Sequence, residues 1–78
     1  MDDLDQILKR KRRIRAMPPP GMRRALRVSA GLSQAELGEI LDVSAPTVCR
    51  WETGERDPRG DVAGRYLDVL ERLQREAV

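Results

Sequence analysis

Histidine is absent from this chain, phenylalanine is absent too, and cysteine occurs once, at Cys49. Without histidine and with a single thiol there is no ligand set for a zinc site and no Cys–His nucleophile pair, and no internal disulfide can form. The carboxylates show no grouping of the kind that paired acid–base catalysis needs, so neither an enzyme nor a bound metal or cofactor is expected. Aromatic side chains are limited to Trp51 and Tyr66, too few for a surface that binds RNA by stacking bases. No run has the length or apolar content of a membrane span or a signal peptide, which predicts a cytoplasmic protein with no membrane partner; no effector domain or ligand pocket fits within this length, so no small-molecule ligand is expected.

What the chain has in abundance is charge, unevenly placed. Its net charge of +2 hides a division: residues 1–27 hold nine Lys or Arg against three Asp, or +6, and residues 28–78 hold six Arg against ten acids, or −4. The first third is therefore expected to meet something anionic. A length of 78 residues allows one small domain, whose core supplies a margin of only ~3–5 kcal/mol before any partner adds to it.

Two units are expected along the chain. Residues 1–20 form a basic segment ending in a proline-rich linker. Within it Leu4, Ile7, Leu8, Lys11 and Ile14 fall on one narrow helical stripe, and Asp2, Asp3 and Asp5 favour the dipole of a helix over 3–16. That helix must stop before Met17-Pro18-Pro19-Pro20, because the residue before a proline avoids the helical region. Residues 21–78 form an all-α domain with helices of about 21–30, 33–41, 44–53 and 61–76.

The middle of that domain carries the most specific signals. Ser33 with Glu36 three residues on is a capping box, and Leu37, Ile40 and Leu41 then share a face. Gly38 marks a place where the next helix approaches too closely for a Cβ, since a glycine mid-helix otherwise only costs stability. Ser44 caps a second helix in which Pro46 is tolerated, and Val48 and Trp51 point inward. The turn Asp42-Val43-Ser44 between them suits only two helices crossing at a large angle. Ala45, Pro46, Thr47, Cys49 and Arg50 face outward. A final helix after Pro58-Arg59-Gly60, capped by Asp61, carries Val62, Tyr66, Leu67, Val69, Leu70, Leu73 and Ala77. Its stripe through Val62, Tyr66, Leu70 and Leu73 packs on the core, while Val69 and the helix end serve either a homodimer contact or simple capping of the core.

The segment from Leu32 to Gly54 resembles the Cro and lambda-repressor type of helix-turn-helix domain. The likeness runs from about Met22 to Leu70. It rests on Gly31-Leu32-Ser33-Gln34, on Gly38, and on Trp51-Glu52-Thr53-Gly54-Glu55-Arg56-Asp57-Pro58. Asp42 departs from it, standing where the family usually has glycine; aspartate visits the left-handed region more readily than most residues. The resemblance implies a compact four- to five-helix domain that binds double-stranded DNA, nucleoid-associated in a bacterial host cell. It points to a transcriptional regulator of the phage or prophage Cro-repressor kind, acting by operator occupancy. An antitoxin-like or excision-accessory protein is the near alternative, and a protein-interaction module that has lost DNA binding is the distant one.

Arg50 is the leading base-contacting residue, because a guanidinium on an exposed helix face donates two bonds to guanine O6 and N7; the alternative is a solvated surface arginine. Thr47 and Ala45 suit a thymine methyl or a phosphate. The resemblance places Ala45, Pro46 and Arg50 opposite base edges and gives Gln34 a phosphate beside the groove, where the helix N-terminus adds positive charge. Ser44 combines an N-cap with a phosphate neighbour, and Arg56 and Arg59 in the following loop suit phosphates. Arg27 and Glu52 correspond to an ion pair that several family members carry, and here they are expected to serve structure.

The run Lys9-Arg10-Lys11-Arg12-Arg13-Ile14-Arg15 admits three readings. Arg10, Arg12 and Arg13 add phosphate or minor-groove contacts to DNA. Or the helix lays Leu4, Ile7 and Leu8 on the domain or on a second subunit. Or it rests on an anionic membrane, for which its apolar stripe is short and lacks aromatics.

Overall fold

A computed structural model describes residues 3–76. Asp2, expected to favour the dipole of the first helix, and Ala77, assigned above to the last, lie outside the described residues. The described chain is all-α: α1 spans Asp3–Arg15, α2 Pro20–Ser29, α3 Gln34–Leu41, α4 Ala45–Thr53 and α5 Asp61–Glu76. These bounds fall within a residue of the predicted ones.

Local chemistry explains each boundary. Asp3 and Asp5 sit in the first turn of α1 and Arg12, Arg13 and Arg15 in its last, both complementing the helix dipole. The helix tightens at its end, where the Ala16 N–H donates to the Arg13 carbonyl and the Met17 N–H to that of Ile14, and then gives way to the prolines. Pro20 opens α2, at a first-turn position whose missing N–H costs no bond. The Ser33–Glu36 capping box is formed in both directions, at 3.0 and 2.8 Å. The Ser33 backbone N–H, donating to the Glu36 carboxylate, holds that group below its usual range.

Asp42 ends α3 in the left-handed conformation, with φ 59° and ψ 45°. Gly38 is constrained by this same turn and not by the facing helix. A Cβ there would stand 2.5 Å from the Val43 carbonyl oxygen, and the Val43 N–H donates to the Gly38 carbonyl at 2.9 Å. The close approach inferred from the mid-helix glycine is real, but the neighbour is the turn backbone.

α3 packs chiefly on α4, α2 lies across α4 and α5, and α1 reaches the rest through α5. The core cluster joins Leu37 and Leu41 of α3, Val48 and Trp51 of α4, and Tyr66 and Leu70 of α5, with Ala63 and Leu67 also buried. One expectation needs correcting. Ile40 is 52% exposed, because burial follows Leu37 and Leu41, one turn apart, and that stripe is too narrow to include it. Val69 is half-buried and packs against the core cluster. Leu4, Ile7 and Leu8 stay exposed, which removes the reading that lays them on the domain; among the stripe residues of α1, Ile14 is the half-buried one.

The rings of Trp51 and Tyr66 meet with centroids 4.9 Å apart and planes tilted by 31°, a contact worth ~0.5–1.5 kcal/mol beyond its buried area. The Tyr66 hydroxyl is buried without a hydrogen-bond partner among the described residues. Burial, helped by the charge of Glu52, pushes its pKa up to about 12 from 10.0. A raised folded value means that the native state keeps its proton where the unfolded chain has lost it. Stability is then intact below pH 10 and falls above it, by at most about 2 kcal/mol at pH 12. Tyr66→Phe should lose nothing at neutral pH, where no hydrogen bond is broken, and should lack this alkaline loss. Urea unfolding of both proteins from pH 8 to 12 checks it, and parallel curves would refute it.

Candidate nucleic-acid interface

α4 has two faces of opposite character. Val48, Trp51 and Glu52 are buried, whereas Pro46, Cys49 and Arg50 are exposed and Ala45 and Thr47 half-exposed. The N-terminus of α4 is closed by Ser44, whose Oγ accepts from the Thr47 backbone N–H at 3.2 Å and lies 2.9 Å from Thr47 Oγ1. The Thr47 hydroxyl is thus engaged by the cap, and its methyl is the group left for an apolar contact.

The inner face of α4 is clamped by two buried arginines of α2. Arg27 makes a bidentate pair with Glu52, Nε to Oε2 at 2.6 Å and Nη2 to Oε1 at 2.9 Å, and its Nη1 donates to the Leu32 carbonyl at 2.7 Å. The hydrogen bonds to Glu52 hold the guanidinium above its ordinary pKa. Gln34 joins the same cluster, its Nε2 donating to Glu52 Oε1 at 3.2 Å. One side of the Gln34 amide is therefore committed within the protein, and its carbonyl oxygen and the α3 N-terminus remain beside it.

Arg23, one turn before Arg27, was missed by sequence reasoning. Its Nε donates to the Pro18 carbonyl at 2.7 Å and its Nη1 to the Trp51 carbonyl at 3.0 Å, with Asp57 Oδ1 3.8 Å away. It ties the proline linker, the end of α4 and the following loop together. The signal available was the spacing of Arg23 and Arg27, which puts both on one helix face, but their acceptors include backbone carbonyls that no residue type announces.

The outer face of α4 runs into the loop after Gly54, which adopts φ 82°. Thr47, Arg50, Arg56 and Arg59 line one depression there together with Glu55 and Asp57. Arg50 Nε lies 3.3 Å from Glu55 Oε2, the two side chains being 48% and 66% exposed. This carboxylate occupies the guanidinium. The Arg56 N–H donates to the Arg50 carbonyl at 3.2 Å, fixing the loop against the helix end. Arg10 and Arg12 are exposed on α1, while Arg13 turns to α5, where its Nη2 is bonded to Asp68 and, at 2.8 Å, to Glu71 Oε1. Arg13 is therefore occupied by two carboxylates within the protein.

A helix pair joined by a tight left-handed turn, with the second helix clamped from behind and bare in front, is what groove-inserting domains require. The family model for a helix-turn-helix matches residues 24–73, well over half of the chain. The chain belongs to the Cro/lambda-repressor-like helix-turn-helix family. No curated protein and no solved structure matches it. As a helix-turn-helix protein it is a DNA-binding transcriptional regulator. In helix-turn-helix terms α3 is the supporting helix and α4 the recognition helix, while α1 lies outside the matched segment. No described helix is long and apolar enough to cross a membrane.

Proposed function

We propose that this regulator recognises a specific duplex operator through α4 and represses by occupancy, as a phage or prophage Cro-type protein does. The observation that carries the reading is the two-faced recognition helix: Glu52 and Trp51 are locked behind it and Arg50 and Pro46 are exposed in front, Arg50 held only by an exposed pair with Glu55. Arg50 leaves Glu55 to donate to guanine O6 and N7, and Pro46, Ala45 and the Thr47 methyl offer apolar contact to thymine. Gln34, Ser44, Arg56 and Arg59 set the register on phosphates, two of them at helix N-termini where backbone N–H groups add positive character. Two copies on a palindromic operator, with half-sites about 34 Å apart, complete the reading. The apolar side chains available to such a pairing include Leu4, Ile7 and Leu8, each at least 42% exposed.

The test is selection of bound fragments from sheared source-genome DNA, at moderate salt with excess nonspecific competitor, followed by footprinting. A discrete footprint overlapping a promoter is expected, with symmetry that reports one copy or two. A footprint away from promoters would favour an excision-accessory or antitoxin-like protein. Uniform, salt-labile retention would overturn sequence-specific recognition and favour a protein-interaction module.

A further inference from the structure

We infer that the C-terminal half of α1 is a second DNA-contacting element, in which Lys11 and Arg15 join Arg59 to hold the phosphate backbone beside the operator. The inference rests on the DNA-binding reading above and extends it to a helix outside the segment matched by the family.

Three observations carry it. First, Lys11, Ile14 and Arg15 form one wall of a groove whose other wall is Pro58, Arg59 and Gly60. Second, Arg59 also lines the depression that holds Thr47, Arg50 and Arg56, so the cationic rim continues from the recognition helix through the loop to α1. Third, the three cations at the α1 end of this rim are uncommitted. Lys11, Arg15 and Arg59 make no ion pair or side-chain hydrogen bond among the described residues. Asp57, the carboxylate nearest in the loop, faces Arg23.

Arg13 supplies the complementary half of the design. Its bonds to Asp68 and Glu71 fix α1 to α5 from the opposite side of the helix, since residues 11 and 15 are a turn apart and residue 13 lies half a turn from both. Three like charges are thereby held along one groove with no ion pair among the described residues, the neighbouring Asp57 lying 3.8 Å from Arg23, an arrangement that is repulsive alone and is relieved by an anionic polymer. A phosphate backbone provides anions at regular intervals, and each neutralised phosphate releases condensed counterions. The sequence reading placed the phosphate contacts of this helix at Arg10, Arg12 and Arg13; the packed helix assigns them to Lys11 and Arg15.

The experiment is fluorescence-anisotropy titration of a labelled random-sequence duplex across a range of salt concentrations. It compares wild type, the double variant Lys11→Gln/Arg15→Gln, and the charge-matched control Arg72→Gln/Arg75→Gln at the other end of α5. Circular dichroism checks that each variant keeps its helices. The double variant should flatten the slope of log affinity against log salt by about 1.8, or about 0.9 per lost contact. The affinity lost between 50 and 200 mM salt then shrinks roughly tenfold, and the control should keep the wild-type slope. Wild-type binding with an unchanged slope in the double variant would overturn the role of α1 and leave the recognition helix untouched, as would equal flattening in the control, which would mean bulk charge alone. Absence of salt-dependent binding by the wild type would overturn both readings, leaving an acidic protein as the occupant of the groove.

Discussion

Glu52→Ala is expected to cost about 3–5 kcal/mol of folding stability, because it strands the Arg27 guanidinium in a site from which water is excluded. The Glu52 side chain is 1% exposed and that of Arg27 9%, and both carboxylate oxygens are used by Arg27. In the variant Arg27 keeps its bond to the Leu32 carbonyl and has no counter-charge. Against the ~3–5 kcal/mol margin of a domain of this size, the loss takes most of the stability. Replacing both partners, as Arg27→Met/Glu52→Leu, should be far milder than the single change, since an apolar pair needs no counter-charge. Urea unfolding of the three proteins decides the matter. A double variant as unstable as Glu52→Ala would mean that the ion pair itself holds the helices together, against the desolvation argument.

Arg50→Ala is expected to remove sequence preference while leaving the fold unchanged. The side chain is exposed and its partner, Glu55, is exposed too, and an ion pair in that setting contributes about 0–1 kcal/mol to stability. A bidentate contact to guanine discriminates by about 1–3 kcal/mol, or roughly 5- to 150-fold between the preferred and the mismatched base. Competition binding with the selected operator and single-base variants should therefore show discrimination collapsing at one base-pair position and persisting at others, with the urea midpoint unmoved. Discrimination that survives intact would remove Arg50 from the base-reading set and throw the weight onto Pro46 and Ala45. The two predictions separate the faces of one helix. Removing Glu52 should damage folding, and removing Arg50 should damage recognition.

How much of this was legible beforehand depended on the range of each interaction. The caps at Ser33 and Ser44 span three residues, so their partners can be found by counting along the chain. The left-handed conformation of Asp42 entered through the family resemblance, since that residue stands where the family usually has glycine. The Arg27–Glu52 pair spans 25 residues and entered through family resemblance; counting along the chain could not have found it. Arg23 stayed invisible because it binds the main chain at Pro18 and Trp51, and a carbonyl is present at every position. Ile40 was placed inward because helical spacing gives the direction of an apolar stripe but not its width. Gly38 was correctly singled out as a site of close approach, but its neighbour was misassigned, since a missing Cβ says that something is near without saying what.

From the sequence alone came the element types, their boundaries, the position of the turn and the family, because each rests on neighbours within a few residues or on an ordered set of local signals. Only the tertiary structure decided how the charges are allotted: which arginines are spent inside the protein, as Arg13, Arg23 and Arg27 are, and which, like Lys11, Arg15 and Arg59, remain available to a partner. A side chain's pairing and burial are set by segments distant in the chain that folding brings together, and fifteen Lys and Arg residues among thirteen acids leave many pairings of nearly equal Coulomb energy until packing selects one.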